Sequence, residues 1–136
     1  MRPRSLAVAA TALLTSVAGA SAAQTPLQED PTVRSGFYAI GLADEVRRNC
    51  PQISPRLVRA YSFLKSLEGY ARDAGYSDDD IRALRDDEAA EDALRDQIRA
   101  ELAERGARPG NTAGYCKIGR EEIARGTQAG RLLKGN

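Results

Sequence analysis

Cys50, in "RRNCPQISP", and Cys116, in "GYCKIGREEIARG", are the two cysteines of this 136-residue chain. Two thiols can form a catalytic dithiol, hold part of a metal site, or close a structural disulfide. Catalytic dithiols usually sit close together as C-x-x-C, and these two lie far apart in the sequence. A metal site would need further ligands, and the chain contains no histidine. The remaining use is a disulfide, expected wherever the compartment is oxidising. A ring of this size is worth about 4 kcal/mol in the chain-entropy account, a large part of a small domain's net stability.

The other groups with chemical potential are carboxylates. Asp44 with Glu45 and Glu121 with Glu122 are adjacent pairs. A carboxylate dyad hydrolyses glycosides only when the two groups face each other across a cleft. Neighbours on one helix point apart, so Glu121 and Glu122 read as surface charges, and a carboxylate-dyad enzyme is the minor alternative. Asp78, Asp79 and Asp80 lack the alternating ligands, central glycine and closing glutamate of a calcium loop; they suit the first turn of a helix. Without histidine, Ser-His and Cys-His nucleophile pairs cannot be built. No phosphate-cradling glycine loop follows a strand, because no strand is expected. The expectation is a chain without enzymatic activity, cofactor or metal.

The elements that position the cysteines begin after residue 22. Arg2 and Arg4, the uncharged run Leu6–Val17, and the small residues Ala20, Ser21 and Ala22 form the three parts of a secretory signal, residues 1–22. Its apolar run is too short to span a bilayer as a helix, and no second one follows. Localisation is therefore expected to be periplasmic, in line with an Ala- and Arg-rich bacterial composition. Loss of Arg2 and Arg4 takes the formal net charge from +1 to about −1. That balance gives no electrostatic reason to bind nucleic acid or an anionic membrane, and no membrane insertion of the mature chain is expected.

Residues 23–32 read as a flexible lead, and residues 33–134 as one helical domain. Val33, Phe37, Ile40, Ala43 and Val46 mark one face of a first helix ending at Asn49, with Cys50 at its end and Pro51 as the stop. Ser54 and Pro55 read as cap and first residue of a second helix running to about Ala74. Leu57, Tyr61, Leu64, Leu67 and Ala71 line one of its faces, widened by Val58, Phe63 and Tyr70, a breadth that predicts the central helix of the domain. A short helix from Ser77 to about Arg85 and a longer one from Asp87 to Arg105 follow, the latter with Leu94, Ile98 and Leu102 on a narrow stripe. The fold class is all-α: a single small domain of four to five helices, closed by one disulfide between Cys50 and Cys116.

The last helix starts near Thr112 and is rich in glycine. Gly119, Gly126 and Gly130 share a face with Tyr115, Ile123 and Leu133. Each internal glycine costs about 1 kcal/mol of helix propensity. Three reasons stay open: close approach of the helix ending at Cys50, a break near Gly126 with the tail turning back, or a surface where a partner meets bare backbone.

The segments "ADEVRRNC", "GYS" and "YCKIGREEIARGTQAGRLL" resemble a family of small exported alphaproteobacterial proteins described as a domain of unknown function. The likeness spans Val33 to Leu133 and is most specific around Cys116. It implies a secreted, all-helical, two-cysteine domain and carries over no catalytic residues. The function expected is a non-enzymatic protein-interaction module whose partner is another envelope protein. It would use Tyr115, Gly119, Arg120, Arg125, Gly126 and Gly130. The alternative is an acid- or stress-responsive periplasmic chaperone, in which the acid-rich stretch from Asp78 to Glu104 responds to pH.

Overall fold

The structure is a computed structural model that describes residues 24–136; the signal assigned to residues 1–22 lies outside them. A 3-10 turn, Leu27–Glu29, leads into α1 (Pro31–Asn49). Then come β1 (Ile53–Pro55), α2 (Leu57–Asp73), α3 (Asp78–Arg85), α4 (Glu88–Glu104), α5 (Thr112–Arg125), α6 (Gln128–Arg131) and β2 (Leu133–Gly135). The fold is all-α in character, one domain closed by the Cys50–Cys116 disulfide.

The helix around which the others pack is α1, not α2. Asp30 caps it, its carboxylate accepting from the N–H groups of Thr32 and Val33 at 2.9 and 3.0 Å, with Pro31 at the position where a missing N–H costs nothing. Small residues let the neighbours approach α1 closely. A Cβ on Gly36 would overlap the Leu67 side chain of α2, and one on Gly41 would stand 2.6 Å from Ile98 Cδ1 of α4. Val46, near its C-terminal end, is completely buried, and α2, α4, α5, α6 and β1 all touch α1. The main core joins α1 to Ile53, Ile98, Leu102, Ile118 and Leu133. At such sites, truncation of leucine or isoleucine to alanine costs about 2–5 kcal/mol.

A smaller core of Leu27, Val33, Ala71 and Tyr76 fixes the lead. Leu27 is buried, Tyr76 donates its hydroxyl to the Thr25 carbonyl at 2.7 Å, and Gln24 donates to the Ala74 carbonyl at 3.0 Å. Residues 24–30, read as flexible, are thus seated by one apolar anchor and two long-range hydrogen bonds. Beneath them lies an apolar void of about 20 Å³ between Leu27, Phe37 and Leu67.

Ser54 and Pro55 do not start a helix. They lie in β1, which pairs antiparallel with β2, Ser54 opposite Lys134. The chain turns into α2 one residue later, at Arg56, whose N–H donates to the Leu132 carbonyl at 2.7 Å and whose Nε donates to the Leu133 carbonyl at 2.9 Å. The caps expected farther on are present. Ser77 and Asp80 form a reciprocal capping box on α3, and Asp87 caps α4. The Ser77 hydrogen bonds hold the Asp80 carboxyl below its ordinary pKa.

Candidate functional site

The disulfide joins the C-cap of α1 to the second turn of α5, with Cα atoms 5.1 Å apart and both cysteines buried. It therefore fixes α5 against α1, and the glycines of α5 serve that contact. Gly119 lies over α1 and β1, where a Cβ would stand 2.6 Å from Val46 Cγ1 and overlap Ile53. α5 then ends at Gly126 (φ 62°), a left-handed residue that turns the chain into α6. Gly130 is pressed against the last turn of α5, where a Cβ would overlap the Glu122 carbonyl. Two of the open reasons for these glycines thus operate together, each at a different glycine: close helix approach at Gly119, and a break with the tail turned back at Gly126.

Tyr115, Gly119 and Gly130 are consequently inside the protein. Burial pushes the Tyr115 hydroxyl pKa up. Arg120 is exposed and donates to the Gln52 side chain at 3.1 Å, Arg125 is exposed and paired with Glu122, and Gly126 is half-buried at the turn. The six residues proposed for an interaction surface do not share one. α5 presents its glycines inward, and its cations stand on the outer side.

Glu122 is not a surface charge. It is 4% exposed, and its carboxylate accepts from Arg105 at 2.8 Å, Arg125 at 3.1 Å and the Thr127 hydroxyl at 2.6 Å. Burial works to raise its pKa, but the Thr127 and Arg105 hydrogen bonds, with the charges of Arg105 and Arg125, bring it below the ordinary value. Arg105 also approaches Glu121 at 3.6 Å, so one guanidinium is shared between the two carboxylates. Glu45 is buried as well, 3.0 Å from Arg99 and 3.9 Å from Arg95 of α4. Beside this network, Tyr38 donates to Glu101 at 2.5 Å. Burial first and that bond second push the Tyr38 pKa to about 12, while the same bond, with one from Gln97, lowers Glu101. These carboxylates tie α4 to α1 and to α5. Among the described residues, no group of three or more His, Cys, Asp or Glu side chains is placed to hold a metal ion.

The surface that is neither satisfied nor covered is at the start of α2. Leu57, Val58 and Tyr61 are 72%, 83% and 62% exposed. Leu67 and Ala71, farther along the helix, pack inward, and Ala60 and Phe63 rest against the main core. The apolar breadth of α2 is therefore divided along the helix, open at Leu57, Val58 and Tyr61 in its first turns and buried at Leu67 and Ala71 in its later ones. An open groove of about 680 Å³ runs between Leu57, Val58, Arg56, Arg59 and Lys134. The Arg59 guanidinium donates to the Arg131 backbone carbonyl at 3.5 Å, while Arg131 itself donates through Nε to the Gly126 carbonyl at 3.0 Å.

The charge at this end is unbalanced. Arg56, Arg59, Arg131 and Lys134 form no ion pair among the described residues. Lys65 continues the face one turn on, 6.0 Å from the Tyr61 ring and paired with Glu68 at 2.7 Å. The carboxylates are concentrated elsewhere, on α3 and α4 and at the end of α1, most of them near an arginine. Near-zero net charge thus conceals a cationic end. In the sequence, the sign of this face was the pairing of Leu57 with Tyr61, one turn apart, and their offset from Ala60, Phe63 and Leu67.

The family of unknown function DUF5333 matches residues 25–134, which takes in every helix described above. No curated protein and no solved structure matches the chain.

Proposed function

We propose that this chain, which belongs to that family of unknown function, is a non-enzymatic docking module of the bacterial periplasm. It is exported through a signal cleaved after residue 22 and attaches to another component of the cell envelope. The observation that carries this reading is the open face of α2. Three large apolar side chains stand in solvent beside three cations, Arg56, Arg59 and Lys134, that have no acidic partner among the described residues. Monomeric proteins keep such patches small unless something covers them. Support for the compartment comes from the disulfide, which is compatible with an oxidising environment, and from the signal-like residues 1–22. The interaction residues move accordingly, from the inward-facing glycines of α5 to Leu57, Val58 and Tyr61.

The test is retention on a native envelope fraction containing both its lipids and its proteins. The protein should be retained, and Leu57→Asp/Val58→Asp should release it while leaving the helical circular dichroism unchanged. Equal retention of both proteins would refute the docking face.

A second reading, an acid-responsive chaperone, draws on the Glu122 cluster. A buried carboxylate holding α4, α5 and the turn into α6 loses its charge-assisted bonds on protonation, which would loosen α6 and uncover Leu132 and Leu133. Apolar-dye binding and suppression of client aggregation should then both rise as the pH falls below the ordinary carboxylate range, and absence of both removes this reading.

A further inference from the structure

We infer that the component docked by the α2 face is an anionic lipid surface, with Leu57, Val58 and Tyr61 entering the headgroup layer and the surrounding cations holding it. This inference rests on the docking reading above and narrows it to one partner.

Three features select a bilayer over the other occupants. The first is charge. Arg56, Arg59 and Lys134 line the groove beside Leu57 and Val58 and are paired with no carboxylate among the described residues, so the face complements a continuous negative surface. A second copy of this chain would bring the same cations opposite themselves, which disfavours a two-fold dimer through this face.

The second feature is area. Three side chains exposed to this degree offer roughly 400 Å² of surface, about half of what one partner contributes to a stable protein interface. A bilayer needs no matching contour and accepts a small apolar wedge when cations add to it. The third feature is chemistry. Tyrosine, flanked here by leucine, valine and a lysine, has the amphipathic ring suited to the membrane–water boundary, and the long basic side chains can extend to phosphate while their stems stay on apolar surface. Among the described residues no helix is long and apolar enough to cross a membrane, so the contact is peripheral.

The experiment is flotation of the disulfide-bonded chain from Ala23 onward, which holds the whole described core, with vesicles of phosphatidylcholine alone or mixed with phosphatidylglycerol. Partitioning should be at least about tenfold stronger on the anionic vesicles and should fall as salt is raised from about 0.05 to 0.5 M. Leu57→Asp/Val58→Asp and, separately, Arg59→Glu/Lys134→Glu should each bring it to the level seen with the neutral vesicles. Both pairs alter exposed side chains, and circular dichroism and non-reducing electrophoresis verify their fold. Because the chain has no tryptophan, Val58→Trp supplies a reporter whose emission should shift to the blue on anionic vesicles.

Binding that ignores lipid charge, or that survives both double substitutions, overturns the inference. So does an unshifted tryptophan on bound protein. If vesicles fail to bind while native envelope retains the protein and Leu57→Asp/Val58→Asp releases it, the face docks a protein: the lipid inference falls and the docking reading stands. If neither preparation binds, both fall.

Discussion

Replacing both cysteines, Cys50→Ala/Cys116→Ala, should remove about 4 kcal/mol of stability. The magnitude follows from a sequence separation of 66 residues. Chain-entropy closure of such a loop costs the unfolded chain roughly 15 cal/mol/K, or about 4 kcal/mol at 25 °C. The ring contains β1, α2, α3, α4 and the first turn of α5, while α1, α6 and β2 lie outside it. Most of the molecule is thus constrained in the unfolded state, and little native contact is lost when two sulfur atoms go. Equilibrium urea unfolding, followed by helical circular dichroism, reads the difference. With a slope of about 2 kcal/mol/M the midpoint should drop by about 2 M, and the slope should rise because the unlinked chain unfolds to a more expanded state. The reasoning is refuted if the variant keeps its native spectrum and loses less than about 1.5 kcal/mol at an unchanged slope. The disulfide would then not be limiting the unfolded ensemble.

Glu122→Gln should cost about 2 kcal/mol, below the usual cost of breaking a fully buried pair, because Arg105 and Arg125 reach solvent when released. The native Glu122 and Glu101 carboxyls lie below their ordinary pKa, so their contribution is complete above about pH 4.3 and is lost as pH falls through the lower native values. Melting temperature against pH should therefore fall less steeply on the acid side in Glu122→Gln, and parallel acid limbs would contradict this account. Alanine substitution of three glycines should give three different results in the same unfolding assay. Gly130→Ala drives a Cβ into the Glu122 backbone and should cost about 3 kcal/mol; Gly126→Ala places a side chain at φ 62° and should cost about 1 kcal/mol. Gly69→Ala, on an open helical position, should add about 0.5–1 kcal/mol, and any other order would mean that these contacts are misassigned.

Local signals in the sequence located most helix ends, and long-range contacts decided the rest. Ser77, Asp87 and Thr112 lie at or beside the starts of their helices, and Gly75 and Gly106 at positive φ beyond the ends of theirs, because caps act within one turn. The central role of α1 was hidden because it rests on small residues. Gly36, Ala39, Gly41 and Ala43 make room for Leu67 and Ile98 without carrying much hydrophobicity themselves. β1 and β2 were hidden for a different reason. Strands of three residues show no alternation, and their partners lie some 80 residues apart in the chain.

The candidate site was the least legible part. Leu57, Val58 and Tyr61 have the residue types of a core, and only the packing of Leu67 against Gly36 shows which side of α2 faces inward. Glu122 has the type of a surface residue, and its burial depends on Arg105 arriving from α4. Paired cysteines, by contrast, could be read from composition, since neither a metal nor a local redox motif competed for them.

The covalent ring also bears on what a protease can do to this protein. A single backbone cut anywhere from Pro51 to Tyr115, the exposed connection at Arg108–Asn111 included, opens the ring without separating the molecule into two pieces. After a cut at Arg108–Asn111, the β1–β2 pairing and the Arg56 bonds to Leu132 and Leu133 would add noncovalent ties between the two fragments. A nicked protein would migrate as one species until reduced, and its apparent lifetime under proteolysis would depend on the second cut rather than the first.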